Sequence, residues 1–227
     1  MTRKASASSS KDTETKQAWA VLIFTVLYLL AALAFAIAQG SKEFMLYLGV
    51  TPFLIGAIAW IHRKIELPIP MLWALNVLGL VHCLGGLIVL PEHLPTDGKP
   101  FLYNYWLIPE RLKFDQVVHA YGNALATWLC WHLLRYTISI ALKTKLEDIP
   151  ARPVFLILCF LAGFGVGALN ELMEFGATQT VPGATHVGGY VNTGWDLVSN
   201  TVGGGVVVFW IWIKRRNKRL PDARKAK

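Results

Sequence analysis

The chain has 227 residues, of which 54% are hydrophobic and 16% charged, with a formal net charge of +8. That apolar share exceeds what a soluble domain of this size carries, and uncharged runs of spanning length recur along the chain, which excludes a water-soluble globular fold and implies one helical membrane domain. The basic residues flank apolar runs rather than sharing a folded face with aromatic readers, which speaks against a nucleic-acid partner.

Residues 1–16 are polar, basic and serine-rich, the composition of a disordered cytoplasmic leader. Gln17 to Ala38 carries no charge over 22 positions. This run is too long for a signal-peptide core and reads as an uncleaved first span. Further spans are expected at 44–61, 68–90, 115–142, 153–175 and 194–213, giving an all-α polytopic bundle of six transmembrane helices over 17–213 and a basic tail at 214–227. Pro68 and Pro70 open the third span, and Pro150 and Pro153 precede the fifth, where a missing N–H costs least. Cys83, Cys130 and Cys159 lie inside apolar runs with no CxxC spacing and read as small core residues.

Orientation follows from counting Lys and Arg on alternating sides. One side holds the leader, Arg63 and Lys64, Arg135 with the connection after the fourth span, and the tail, 18 of the 22 basic residues; the other holds only Lys42, Lys99, Arg111 and Lys113. Both termini are therefore expected in the cytoplasm, with a multi-pass domain in the lipid bilayer. Tyr103, Tyr105, Trp106, Trp210 and Trp212 sit where interfacial anchors belong. The connection 91–114, long for a bundle, is expected to cap the outer face.

Polar residues recur at helical spacing inside these runs. In the fourth span Asp115, His119 and Asn123 are four apart and share one face. The fifth repeats the pattern with Gly163, Gly167 and Glu171, joined by Glu174, and the sixth with Asp196, Asn200 and Gly204 after Trp195. His82 belongs to the outer half of the third span. Topology thus directs His82, Asp115, His119, Glu171, Glu174, Asp196 and Asn200 to one outward layer. An acid at the centre of a spanning helix costs about 2.5–3.5 kcal/mol, less near the interface, and this group is short of positive charge. It should bind a cation, protonate, or recruit a cationic substrate group. Asp115 and Asp196 also stand where a first helical turn welcomes an anion, so either could simply cap its helix.

His82-x-x-Gly85-Gly86, Phe114-Asp115-x-x-x-His119, Glu171-x-x-Glu174-Phe175 and Trp195-Asp196-x-x-x-Asn200-x-x-Gly203 resemble, in order and helix placement, the YjdF-like family of uncharacterised bacterial inner-membrane proteins. A looser likeness extends to VanZ-like proteins, which are associated with glycopeptide-antibiotic resistance. The resemblance runs from about 80 to 205 and implies a location in the bacterial inner membrane. It supplies no reaction. The family usually carries Asp-Arg where this chain has Asp115-Gln116, and a shorter segment after Gly86.

Three functions fit these residues. In the first, a membrane-embedded enzyme acts on a lipid-linked substrate at the outer leaflet. Asp115, His119, Glu171, Glu174 and Asp196 do the acid–base work, Arg111, Asn123, Trp195 and Asn200 hold substrate, and a divalent metal ion is the cofactor that His82, His119 and Asp196 would ligate. HxxxH, HExxH and nucleophile-elbow patterns are absent. In the second, the acids are proton or cation sites of a transporter, although no broken helix or inverted repeat accompanies them. In the third, the polar cluster ties helices together in a scaffold protein. No oligomeric state is legible.

Overall fold

The structure, a computed structural model, describes residues 2–181 and 189–215. Six long helices dominate it: α1 (Thr2–Ala38), α2 (Lys42–Ile65), α3 (Ile69–Leu87), α4 (Phe114–Ala141), α5 (Pro153–Thr180) and α6 (Tyr190–Arg215). Five are long and apolar enough to cross a membrane, the span within α1 being Asp12–Ala38. The sixth, α4, has 28 residues and a length of about 42 Å, sufficient to cross. It falls short in apolarity because it carries Asp115, Gln116, His119, Asn123, Thr127, His132 and Arg135. Several of these are buried, since α4 packs against both α5 and α6.

The helix ends depart from the sequence reading in three places. Helix α1 continues back to Thr2, through the stretch expected to be a disordered leader. Residues 2–16 contain no Gly or Pro, so no strong helix breaker interrupts a helix continuing from the span. Helix α3 stops at Leu87 rather than 90, because the chain turns extended there: Leu102 N–H donates to the Ile88 carbonyl and Leu90 N–H to that of Pro100. Helix α6 starts at Tyr190, four residues before the expected 194. The tail beyond Arg215, and His186 in the connection before α6, lie outside the described residues.

Two compact units divide the chain, Met1–Tyr105 and Trp106–Lys227. In the first, α1 and α3 run in the same direction. Asn76 donates to the Val21 carbonyl at 3.0 Å, the Tyr28 hydroxyl fills the space beside Gly79, and Gln39 donates to the Leu87 carbonyl at 3.0 Å. Contacts that climb together in residue number mean parallel helices, as two up-going spans with α2 between them require. His82, Gly85 and Gly86 form a socket in this unit. The Tyr103 ring lies where a Gly85 Cβ would be and the Phe44 ring where a Gly86 Cβ would be, while the Tyr103 hydroxyl meets His82 Nδ1. The 3-10 turn Leu102–Asn104 is thereby fastened to α3.

In the second unit, a short hairpin, β1 (Trp106–Ile108) paired antiparallel with β2 (Leu112–Lys113), leads straight into α4. Gln116, not Asp115, closes the helix start, its side-chain oxygen accepting from Lys113 N–H at 3.0 Å. Gln116→Ala should therefore cost about 1 kcal/mol in a denaturation experiment, whereas Asp115→Asn should leave this cap intact. Helices α4 and α5 are antiparallel: His119 faces Glu171, Asn123 faces Gly167 and Thr127 faces Gly163. Helix α6 runs parallel to α4, with Gly203 against Ala120 and Gly204 against Asn123 and Thr127. Glycines on α5 and α6 let these backbones approach closely. At the far end of the same three helices, Trp131, Ile149, Ala151, Leu156, Cys159 and Ile211 form an apolar core.

Candidate functional site

The α4–α5–α6 packing gathers one histidine and four carboxylates. His119 comes from the second turn of α4 and its side chain is 8% exposed. Its Nε2 lies 3.4 Å from Asp115 Oδ1 on the same helix face and 3.9 Å from Glu174 Oε1, and its Nδ1 lies 3.3 Å from Glu171 Oε1. Asp196, fully buried on α6, completes the group. Asp115, His119 and Asp196 each offer a ligand atom within 4.8 Å of the others, as do His119, Glu171 and Glu174.

Asn192 organises one side of this group. Its amide donates to Asp115 Oδ2 at 3.4 Å and to Asp196 Oδ2, while its carbonyl oxygen accepts from Lys113 Nζ. Asn170 likewise holds Glu174, donating to Oε1 at 2.7 Å. Other buried polar atoms have no hydrogen-bond partner among the described residues: Asp196 Oδ1, both Glu171 carboxylate oxygens and Asn200 Nδ2. For Glu171 the His119 ring nitrogen is the nearby charge partner. Buried acceptors left in this way are costly and call for a proton, a water or a cation.

Helix capping does not account for these acids. Asp196 sits six residues inside α6, and Asp115, though in the first turn of α4, leaves the cap to Gln116. The other residues expected at the site are distributed differently. Asn123 donates to the Gly163 carbonyl at 3.0 Å and accepts from Thr127, one turn deeper than His119. Asn200, almost completely buried, packs against the place where a Gly167 Cβ would be. Arg111 is exposed in the β1–β2 turn and Trp195 is 53% exposed on α6. His82 belongs to the first unit, in the Tyr103 socket, and neither candidate ligand group among the described residues includes it.

Two residues that shape the site, Asn192 and Gln116, are not among the site residues expected from the sequence. Asn192 had a usable signal, because Asn192, Asp196, Asn200 and Gly204 form one series four apart. Starting the helix at 194 cut off its first member.

An assembly of long apolar helices enclosing a histidine–carboxylate group is that of a polytopic helical membrane protein with a polar site in its interior. The chain belongs to the family of predicted membrane proteins designated DUF2238, whose sequence model matches residues 20–217. No curated protein and no solved structure matches it.

Proposed function

We propose that this protein is a membrane-embedded enzyme that performs acid–base chemistry on a lipid-linked substrate, with the His119–carboxylate cluster as its active site. On this reading both termini are cytoplasmic, the cluster faces outward, and the membrane is the bacterial inner membrane, consistent with the YjdF-like motif order and with 18 of 22 basic residues on one side. One observation carries the proposal: a histidine with both ring nitrogens beside carboxylates from two helices, within a bundle whose outer surface is apolar.

Glu171, with Oε1 3.3 Å from Nδ1, is the charge partner on that side of the ring. Glu174 and Asp115, more exposed than Glu171 and Asp196, are the carboxylates a substrate reaches first. Glu174, 3.9 Å from Nε2, takes a proton from an attacking water, and His119 returns one to the leaving group. The substrate's apolar tail stays in the bilayer while its headgroup meets the exposed Trp195 and Arg111.

Cation transport is the weaker reading. The polar stripe on α4 descends through Asn123 and Thr127 and then meets Trp131, 2% exposed in the apolar core, which stops a hydrated path along that face.

The test uses purified protein in nanodiscs carrying phosphatidylethanolamine, phosphatidylglycerol and a polyprenyl phosphate, with lipid products followed by mass spectrometry. Turnover of at least one of these lipids is expected, falling about 10²- to 10⁴-fold in His119→Ala and Glu174→Gln. No conversion of any of the three, or full turnover in both variants, overturns the proposal.

A further inference from the structure

We infer that the cluster is a mononuclear site for a hard divalent cation, Mn²⁺ or Mg²⁺, with Asp115 Oδ1, Asp196 Oδ1 and His119 Nε2 as the three protein ligands. The inference rests on the active-site reading above and goes further, because acid–base catalysis at these residues needs no metal: with an ion bound, His119 ligates it, and Glu174 both takes the proton of the attacking water and returns it to the leaving group.

The assignment comes from which atoms are already engaged. Asn192 donates to the Oδ2 atom of both aspartates, which leaves the two Oδ1 atoms. Asp115 Oδ1 is 3.4 Å from Nε2, and Asp196 Oδ1 is fully buried with no hydrogen bond among the described residues. On the other side of the ring, Glu171 Oε1 lies 3.3 Å from Nδ1. With the Nδ1 proton on the Glu171 side of the ring, the Nε2 lone pair is left on the side of the aspartates. This is the carboxylate–histidine arrangement that supports metal-ligating imidazoles, with Asn192 doing the same for the carboxylates. Glu174 stands outside the triad at 3.9 Å from Nε2, placed to act on a metal-bound water rather than to ligate.

Donor chemistry selects the ion. Two carboxylates and one imidazole are poorer in nitrogen than the usual catalytic zinc shell and contain no thiolate, whereas carboxylate and water oxygens suit Mg²⁺ and Mn²⁺. Two aspartates also balance a divalent charge. The remaining coordination positions belong to water or to substrate oxygens, as these ions prefer.

Full-length protein in nanodiscs, stripped with EDTA, would be titrated with Mn²⁺ while the free-ion paramagnetic resonance signal is followed. One Mn²⁺ per chain is expected, displaced by millimolar Mg²⁺. Asp115→Asn and Asp196→Asn should each weaken binding more than tenfold, and Asn192→Ala and Glu171→Gln by about 10- to 100-fold. His82→Ala should bind as the wild type does. Thermal melts of the same samples show that each variant is folded, and Asp196→Asn keeps the shape of the native side chain. Absence of saturable Mn²⁺ binding, failure of Mg²⁺ to compete, or a loss in His82→Ala as large as in Asp196→Asn would each overturn the metal site. The active-site reading fails separately, through undiminished lipid turnover in His119→Ala and Glu174→Gln.

Discussion

Gly203→Ala is expected to destabilise the second unit by about 2–3 kcal/mol, while Gly205→Ala, two residues along the same helix, should be neutral or stabilising by up to about 1 kcal/mol. The two substitutions add the same methyl group to α6 and differ only in what it meets. At Gly203 a Cβ would run into the carbonyl of Ala120, a backbone atom of α4 that can yield only if the helices separate. At Gly205 a Cβ would meet no neighbouring helix or side chain within 4 Å among the described residues. Gly167 should fall between them, because its Cβ would meet the side-chain amides of Asn123 and Asn200, which can rotate. Melting temperatures of the purified variants give the order directly. Equal behaviour of Gly203→Ala and Gly205→Ala would mean that α4 and α6 do not cross at Ala120. The consequence reaches the site, since the same crossing sets Asp115 and His119 opposite Asp196.

Much of this arrangement was legible in the chain because helical period and helix pairing obey the same arithmetic. Series four apart on α4, α5 and α6 each mark one face, and antiparallel or parallel neighbours bring those faces into register, so that Asn123 meets Gly167 and Gly204. Depth is readable in this way; the direction in which a side chain points around its helix is not. His82 illustrates the limit. Its position along α3 follows from Pro68, but its partners are set by Tyr103 folding back onto Gly85, a contact that a connection rich in Pro and aromatic residues does not announce. Asp115 illustrates another. An acid in a first turn has the form of a cap, yet Gln116, one residue later, reaches the Lys113 amide, which frees the aspartate to face His119. Asn192 falls outside the span expected at 194–213, whereas α6 begins at Tyr190 and includes it.

Asp196→Asn is expected to raise the melting temperature in EDTA and to lower it relative to wild type in Mn²⁺, a reversal that separates a ligand site from a structural tie. In the metal-free protein Asp196 is a fully buried acid with one oxygen unpartnered among the described residues, close to Asp115 and Glu171. The attraction of His119 and Lys113 works against that repulsion but does not replace the hydration that full burial removes. An amide in the same place still accepts from Asn192 and offers its N–H groups to neighbouring carboxylates, so relief of about 1 to 3 kcal/mol is expected. With Mn²⁺ present the balance changes sign. Wild type gains binding energy that is available only to the folded state, about 2.7 kcal/mol when the free ion is at 100 times its dissociation constant, and the variant gains little of it. A scaffold whose acids only hold helices together predicts the opposite first result, a lower melting temperature for Asp196→Asn in EDTA with no response to Mn²⁺ in either protein. The direction of the shift in EDTA therefore decides whether Asp196 is kept for what it binds or for the helices it joins.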